Sequence, residues 1–275
     1  GYDLYDVLRA ACINPIDHYD LEVGQLRVGN AADFVIVEDL KNFNVISTYI
    51  NGTQVSDSTH CLFSKVTASP INQFNCTTKQ ASDFEIHTNA NHARVIHALD
   101  GEIITKELIT HITTEKGRFL ADTKKDILTI TVINRYEDAP PVSALIHGFG
   151  LSNGAIASCV GHDTHNIIAV GCDTYSLVKA VNIIIENKGG ISAVGNDREI
   201  FLPLPFAGIM SGDEGTLVGK QYAELDRFTK DVLGSCLGAP YMTLSFMALL
   251  VIPDLKLSDK GLFSGKEFRF VDSFI

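Results

Sequence analysis

The chain contains no C-x-x-C pair, no glycine-rich loop leading into a lysine, no basic surplus and no long apolar run. Each absence removes a class of function. Six cysteines (Cys12, Cys61, Cys76, Cys159, Cys172 and Cys236) lie far apart in 275 residues. That spacing is not a disulfide framework, and buried, reduced thiols are expected. Without a phosphate-cradling glycine loop, nucleotide-triphosphate chemistry has no foothold. Twenty-two basic against 33 acidic residues give a net charge of −11. No nucleic-acid partner is expected, because no excess of cations exists to displace counterions from phosphates. The longest apolar run, near Met247 to Ile252, is too short to span a bilayer. The N-terminus shows neither the basic nor the apolar region of a secretory signal. No membrane partner and a cytoplasmic setting are therefore the expectations. Long-period repeats and low-complexity tracts are also absent.

What is present fits a folded chain, with 45% hydrophobic and 20% charged residues. Leu4, Val7, Leu8 and Ala11 recur at helical spacing directly after Gly1, and Asn14-Pro15 should close that helix. With no initiator Met before an apolar helix face, a piece of a longer protein is expected. Asp33 to Val37 and Val45 to Ile50 read as strands, the second ending in an Asn51-Gly52 turn. Residues 57 to 80, rich in Ser, Thr, Asn and Gln, read as a linker. Beyond it, strands are expected at Phe84 to His87, Ala93 to Ala98, Asp126 to Asn134, Ala144 to Phe149, Ile167 to Gly171, Ile191 to Val194 and Ile200 to Leu204. Thr174 to Asn187 and Tyr222 to Leu237 read as helices, the first followed by Gly189-Gly190. The fold class expected is α/β in a mixed α+β form: a small β-sandwich remnant and a larger layered α/β domain.

The densest chemistry lies at His162-Asp163-Thr164-His165-Asn166, immediately before the apolar run Ile167 to Gly171. Two imidazoles, a carboxylate and an amide taken out of water need partners. In a turn, His162 and His165 could converge on one metal ion, with His147, Asp173 or Cys159 as further ligands. A structural hydrogen-bond network is the competing reading. Cys159 could be a nucleophile activated by a nearby histidine, or a small buried hydrophobe, and the second is preferred. Leu202-Pro203-Leu204-Pro205 and Pro240 to Phe246 read as rigid or core segments, although either could line a pocket.

These segments resemble adenine deaminases of the amidohydrolase superfamily. The resemblance rests on Ala155-Ile156-Ala157-Ser158, His162 to Asn166, Leu202 to Pro205, Gly208-Ile209-Met210-Ser211, Met242 to Phe246, Val251 to Leu257 and Asp259 to Leu262. Asn14-Pro15, Gly24-Gln25-Leu26, Ala31 to Phe34 and Asn51-Gly52 are similar to the passage from the last barrel helix into the β-sandwich. Cys159, Gly161 and Leu250 stand where Ser, Ala and Pro are usual in that family. The resemblance implies a division into 1–22 (last helix of a (β/α)8 barrel), 23–72 (β-sandwich part and linker) and 73–275 (C-terminal α/β domain). It implies hydrolysis of adenine to hypoxanthine and ammonia in purine salvage, and a homo-oligomer. It also implies a dinuclear Mn2+ or Fe2+ centre whose H-x-H ligands do not occur in this chain. On that basis His162, Asp163, His165 and Asn166 are candidate accessory residues, and His162 and His165 the uncertain metal ligands. The isolated chain is then expected to be inactive. A stand-alone metal- or ligand-binding module is the alternative, and an oligomerisation domain a third.

Overall fold

A computed structural model describes residues 1–64 and 66–275. The chain divides into two compact units, Gly1–Thr67 and Ala68–Ile275.

The first unit opens with helical segments α1 (Leu4–Leu8) and α2 (Asn14–Tyr19), joined by a π-helical turn over Arg9–Ile13. The helix therefore runs past Asn14-Pro15, where a stop was expected. The π turn lets the Asn14 N–H bond back to Arg9 O. Pro15 then falls in the first turn of α2, where a missing N–H has no partner to lose. Strands β1 (Phe34–Val37), β2 (Val45–Ile50) and β3 (Thr53–Asp57) form an antiparallel sheet in that order. Its entrance is pinned by Asp33, whose carboxylate accepts from Gly24 N and Asn51 N. Those two N–H bonds hold the Asp33 carboxyl below its ordinary pKa.

The second unit is built on an eight-stranded sheet. Its strands are β4 (His92–Ala98), β5 (Thr105–His111), β8 (Leu128–Ile133), β9 (Val142–His147), β10 (Ala155–Ser158), β11 (Ile167–Gly171), β12 (Gly190–Gly195) and β13 (Arg198–Pro203). Between β5 and β8 a short ribbon intervenes, β6 (Thr114–Glu115) with β7 (Arg118–Phe119). The order across the large sheet is β13-β12-β10-β11-β8-β9-β4-β5, and only the β4–β9 pair is parallel. The central strands β8, β10, β11 and β12 are buried at every position. That is the signature of a sheet covered on both faces.

Alternate residues go to opposite sides. Ile133, Ala155, Ala157, Ile167 and Ala169 pack with Leu177, Ala180, Val181 and Ile184 of helix α3 (Thr174–Glu186). Ile130, Val132, Ile156, Ile168 and Val170 face the other layer. There they meet helix α4 (Gly215–Arg227) through Leu225, and helix α5 (Pro240–Phe246) through Tyr241 and Leu244. Leu255, Leu257 and Leu262 join the same cluster from a small sheet of β14 (Leu255–Ser258), β15 (Gly261–Ser264) and β16 (Arg269–Phe270). The layered α+β arrangement is as expected, with β11, α3 and β12 forming a crossover that β10 splits by pairing with both strands.

Three local expectations differ. Residues 84–87 form no strand: Ala81–Phe84 is a 3₁₀ turn closed by reciprocal Gln80–Asp83 bonds, which buries Phe84. Helix α4 starts at Gly215, not Tyr222, because Gly215 and Gly219 mask its apolar stripe. Of the six thiols, only Cys76 and Cys159 are buried, while Cys12, Cys61 and Cys236 are exposed.

Candidate functional site

Residues 159–166 are the connection of the β10–β11 hairpin, since Ser158 pairs with Ile168 across the two strands. Register brings other chain ends to the same edge. Ile133, the last residue of β8, lies opposite Ile167, so Asn134, Arg135 and Tyr136 leave the sheet beside this loop. Gly190 opens β12 opposite Pro203 at the end of β13, which places residues 204–211 at the same edge. Helix α5 approaches from the covering layer: His162 N donates to Ser245 O at 3.0 Å, and the His162 ring lies 4.8 Å from that of Phe246. Thus three segments singled out in the sequence, 162–166, 202–211 and 242–246, meet at one place.

The loop is held largely by its own backbone. His165 N donates to Gly161 O at 2.8 Å, and His165 adopts a left-handed φ of 53°. Asn166 is buried, and its Oδ1 accepts the Arg135 backbone N–H at 3.3 Å. Asp163 and Thr164 are exposed, whereas His162 and His165 are half-buried. The His165 Nδ1 is enclosed without a hydrogen-bond partner among the described residues. Burial lowers the His165 pKa, and the positive Arg135 and the neighbouring His162 lower it further, against a weaker pull from Asp163. The neutral form of this half-buried ring is therefore favoured.

Arg135, which no sequence pattern singled out, is the organising residue. It is 4% exposed and makes no ion pair among the described residues. Its Nη1 donates to Ala207 O at 2.6 Å and its Nη2 to the Tyr136 hydroxyl at 2.9 Å. That hydroxyl in turn donates to Thr164 O at 2.8 Å. The guanidinium also sits 4.7 Å from the Tyr136 ring centre and 5.8 Å from that of Phe74, contacts that attract a cation to π faces. A signal was available: a cation stands two residues after the fully buried strand β8, where a charge needs a reason.

Cys159 behaves as a buried small residue. Its thiol donates to the carbonyl of Gly208 and accepts from Gly190 N, and burial pushes its pKa up to about 11. A thiolate nucleophile is disfavoured there. The other two further ligands considered for a metal both lie elsewhere: His147 contacts Asp126 and His97, and Asp173 caps α3 through Ser176 N. Among the described residues, no group of three or more His, Cys, Asp or Glu side chains is placed to hold a metal ion. A dinuclear centre therefore does not fit the residues present.

Residues 102–269 match the family model described as the adenine deaminase C-terminal domain, and residues 1–55 match that of the amidohydrolase family. An adenine deaminase of Sulfurovum sp. is 53% identical over 99% of this chain and 50% of its own length. Those of Borreliella burgdorferi and Salinibacter ruber are 46% and 44% identical, over 99% and 100% of this chain and 50% of their own lengths. The chain spans about half the length of the curated relatives it matches. No helix among the described residues is long and apolar enough to cross a membrane.

Proposed function

This chain belongs to the adenine deaminase C-terminal domain family, and from that premise we propose that it is the C-terminal half of an adenine deaminase. The reaction would be hydrolysis of adenine to hypoxanthine and ammonia, serving purine salvage in the cytoplasm of a homo-oligomeric enzyme. The observation that carries the reading is the convergence of the segments 162–166, 202–211 and 242–246 on one loop edge, in a chain whose relatives bear that activity by name. The amidohydrolase-family match points to a metal-dependent hydrolase. Manganese or iron would then be held by residues of the other half, since those present here do not fit it.

In this proposal the loop supplies accessory groups rather than metal ligands. Asp163 offers an exposed carboxylate, and His165 a half-buried ring whose neutral form is favoured by burial. Asn166 contributes from beneath, fixing the loop to Arg135 N. Such groups can orient a purine and exclude water around it. The test is His162→Ala and His165→Ala in the full-length enzyme. Turnover should fall by about a hundredfold, the usual scale for losing a positioned polar group, while the melting temperature holds. Unchanged turnover at unchanged stability would remove the loop from the active site. On the same reading, the isolated chain should show no deaminase activity and should bind no metal when assayed by mass spectrometry. A stoichiometric transition metal lost on His162→Ala would instead make the two histidines ligands.

A further inference from the structure

We infer that Arg135, acting through the Tyr136 hydroxyl, is the positioning residue that sets the 162–166 loop for the reaction. The inference rests on the proposed placement of that loop at the active site. Three observations carry it. The first is charge economy. A guanidinium that is 4% exposed, with no carboxylate partner among the described residues, is costly to bury. A neutral side chain could fill the same space without that cost, so the cation has a task beyond packing. The enclosed Nε, which has no hydrogen-bond partner among the described residues, makes the same point: this site is not optimised for the stability of its own residue.

The second is connectivity. Arg135 is bonded to residues on both sides of the loop and to the loop itself. Its backbone N–H goes to Asn166 Oδ1, its carbonyl accepts from Asn75 N, Nη1 reaches Ala207 O, and Nη2 reaches the Tyr136 hydroxyl that holds Thr164 O. The guanidinium polarises the Tyr136 O–H, and a chain of such bonds strengthens each member. The carbonyl held is that of Thr164, directly between Asp163 and His165. A rotation of that peptide would swing both side chains.

The third is room. Gly208 has a φ of +77°, and a Cβ there would come within 2.1 Å of the Arg135 Nη1. The 204–211 segment is shaped around the guanidinium, so the cation joins two loops that contribute to one edge.

The experiment uses the full-length enzyme carrying Tyr136→Phe, Arg135→Lys or Arg135→Met. Tyr136→Phe keeps the ring under the cation and removes the hydroxyl, with its bond to Thr164 O and the one it accepts from Arg135 Nη2. It should lower kcat by about tenfold with KM for adenine little changed, as expected when reacting groups are displaced rather than removed. Hydrogen exchange at the amides of residues 163–166 should accelerate in parallel. Arg135→Lys keeps the charge but cannot reach Ala207 O and the Tyr136 hydroxyl together, so it should recover activity only in part. Arg135→Met should recover none and should also shift the pH profile of kcat, because a positive charge that adds to burial in lowering the His165 pKa is gone. Wild-type kcat and wild-type exchange in Tyr136→Phe and Arg135→Lys, with only a lowered melting temperature in Arg135→Met, would overturn the inference and leave a structural role. If His162→Ala and His165→Ala cut turnover while Tyr136→Phe does not, this inference alone fails. If all of them turn over normally, the placement of the loop fails with it.

Discussion

Lys256 offers the sharpest test of how this fold balances charge against burial. It sits in β14 with no exposed surface, and its Nζ donates to Ile103 O at 2.8 Å without an ion-pair partner among the described residues. Burial alone takes its pKa down from 10.5 to about 8. At pH 7 the protonated amine is therefore tolerated at a cost of about 3 kcal/mol, the free-energy equivalent of that depression. Replacing Lys256 by Met keeps an unbranched chain of similar length and removes the charge. The Ile103 carbonyl then loses its donor, which costs about 1 kcal/mol. Lys256→Met should thus be about 2 kcal/mol more stable than wild type at pH 7, the difference of those two terms. The sign with pH follows from linkage. Between about pH 8 and 10.5 the unfolded lysine still holds a proton that the folded one has released, so wild-type stability rises across that window. The advantage of the variant should shrink there and reverse near the upper end, where only the lost hydrogen bond remains. Urea unfolding of both proteins at pH 7 and in mild alkali measures it, other titrating groups cancelling in the difference. A variant that is less stable at pH 7, with a difference that does not change with pH, would show that the amine is well compensated and refute the argument.

Two further outcomes are expected. Burial lowers the pKa of His97, with help from His147 and Lys106, and lowers that of His165. The unfolded rings therefore take up protons first as pH falls below about 6.5, the ordinary histidine value, and stability should decline there; the double variant His97→Gln, His165→Asn should flatten that acid limb in thermal melts, and an unchanged limb would assign it to other groups. Gly208→Ala should destabilise by about 2–4 kcal/mol, since a Cβ at positive φ meets Arg135. Its kcat should also fall as in the Arg135 variants, and normal melting with normal turnover would show the guanidinium free to move.

How much of this could be read from residues alone depends on whether the signal was local. The buried strand Ile167–Gly171 and helix Thr174–Glu186 announce themselves, because apolar β-branched runs and 3.6-residue periodicity are properties of neighbours in sequence. The four residues Ala155–Ser158 do not. Three of the four, Ala155, Ala157 and Ser158, are small and have little strand preference, and only pairing with β11 and β12 on either side makes the segment a central strand of the sheet. The same divide runs through the site. The cluster 162–166 was visible as an accumulation of polar side chains before a strand, and its place in a hairpin loop accords with that. Which groups satisfy it was not visible, since Tyr136 and Thr164 are 28 residues apart, and Ala207 is 72 residues from Arg135. Proximity in sequence does not bring His147 and Asp173 to the loop, because register sends both elsewhere. His147 ends β9 beside His97 on β4, and Asp173 is spent on a helix cap. Arg135 is the same case in reverse. A single arginine after a strand looks like a solvated end until the sheet order shows that two loops close over it. Its burial is a property of topology, and topology is where a charge without a counter-charge acquires something to hold in place.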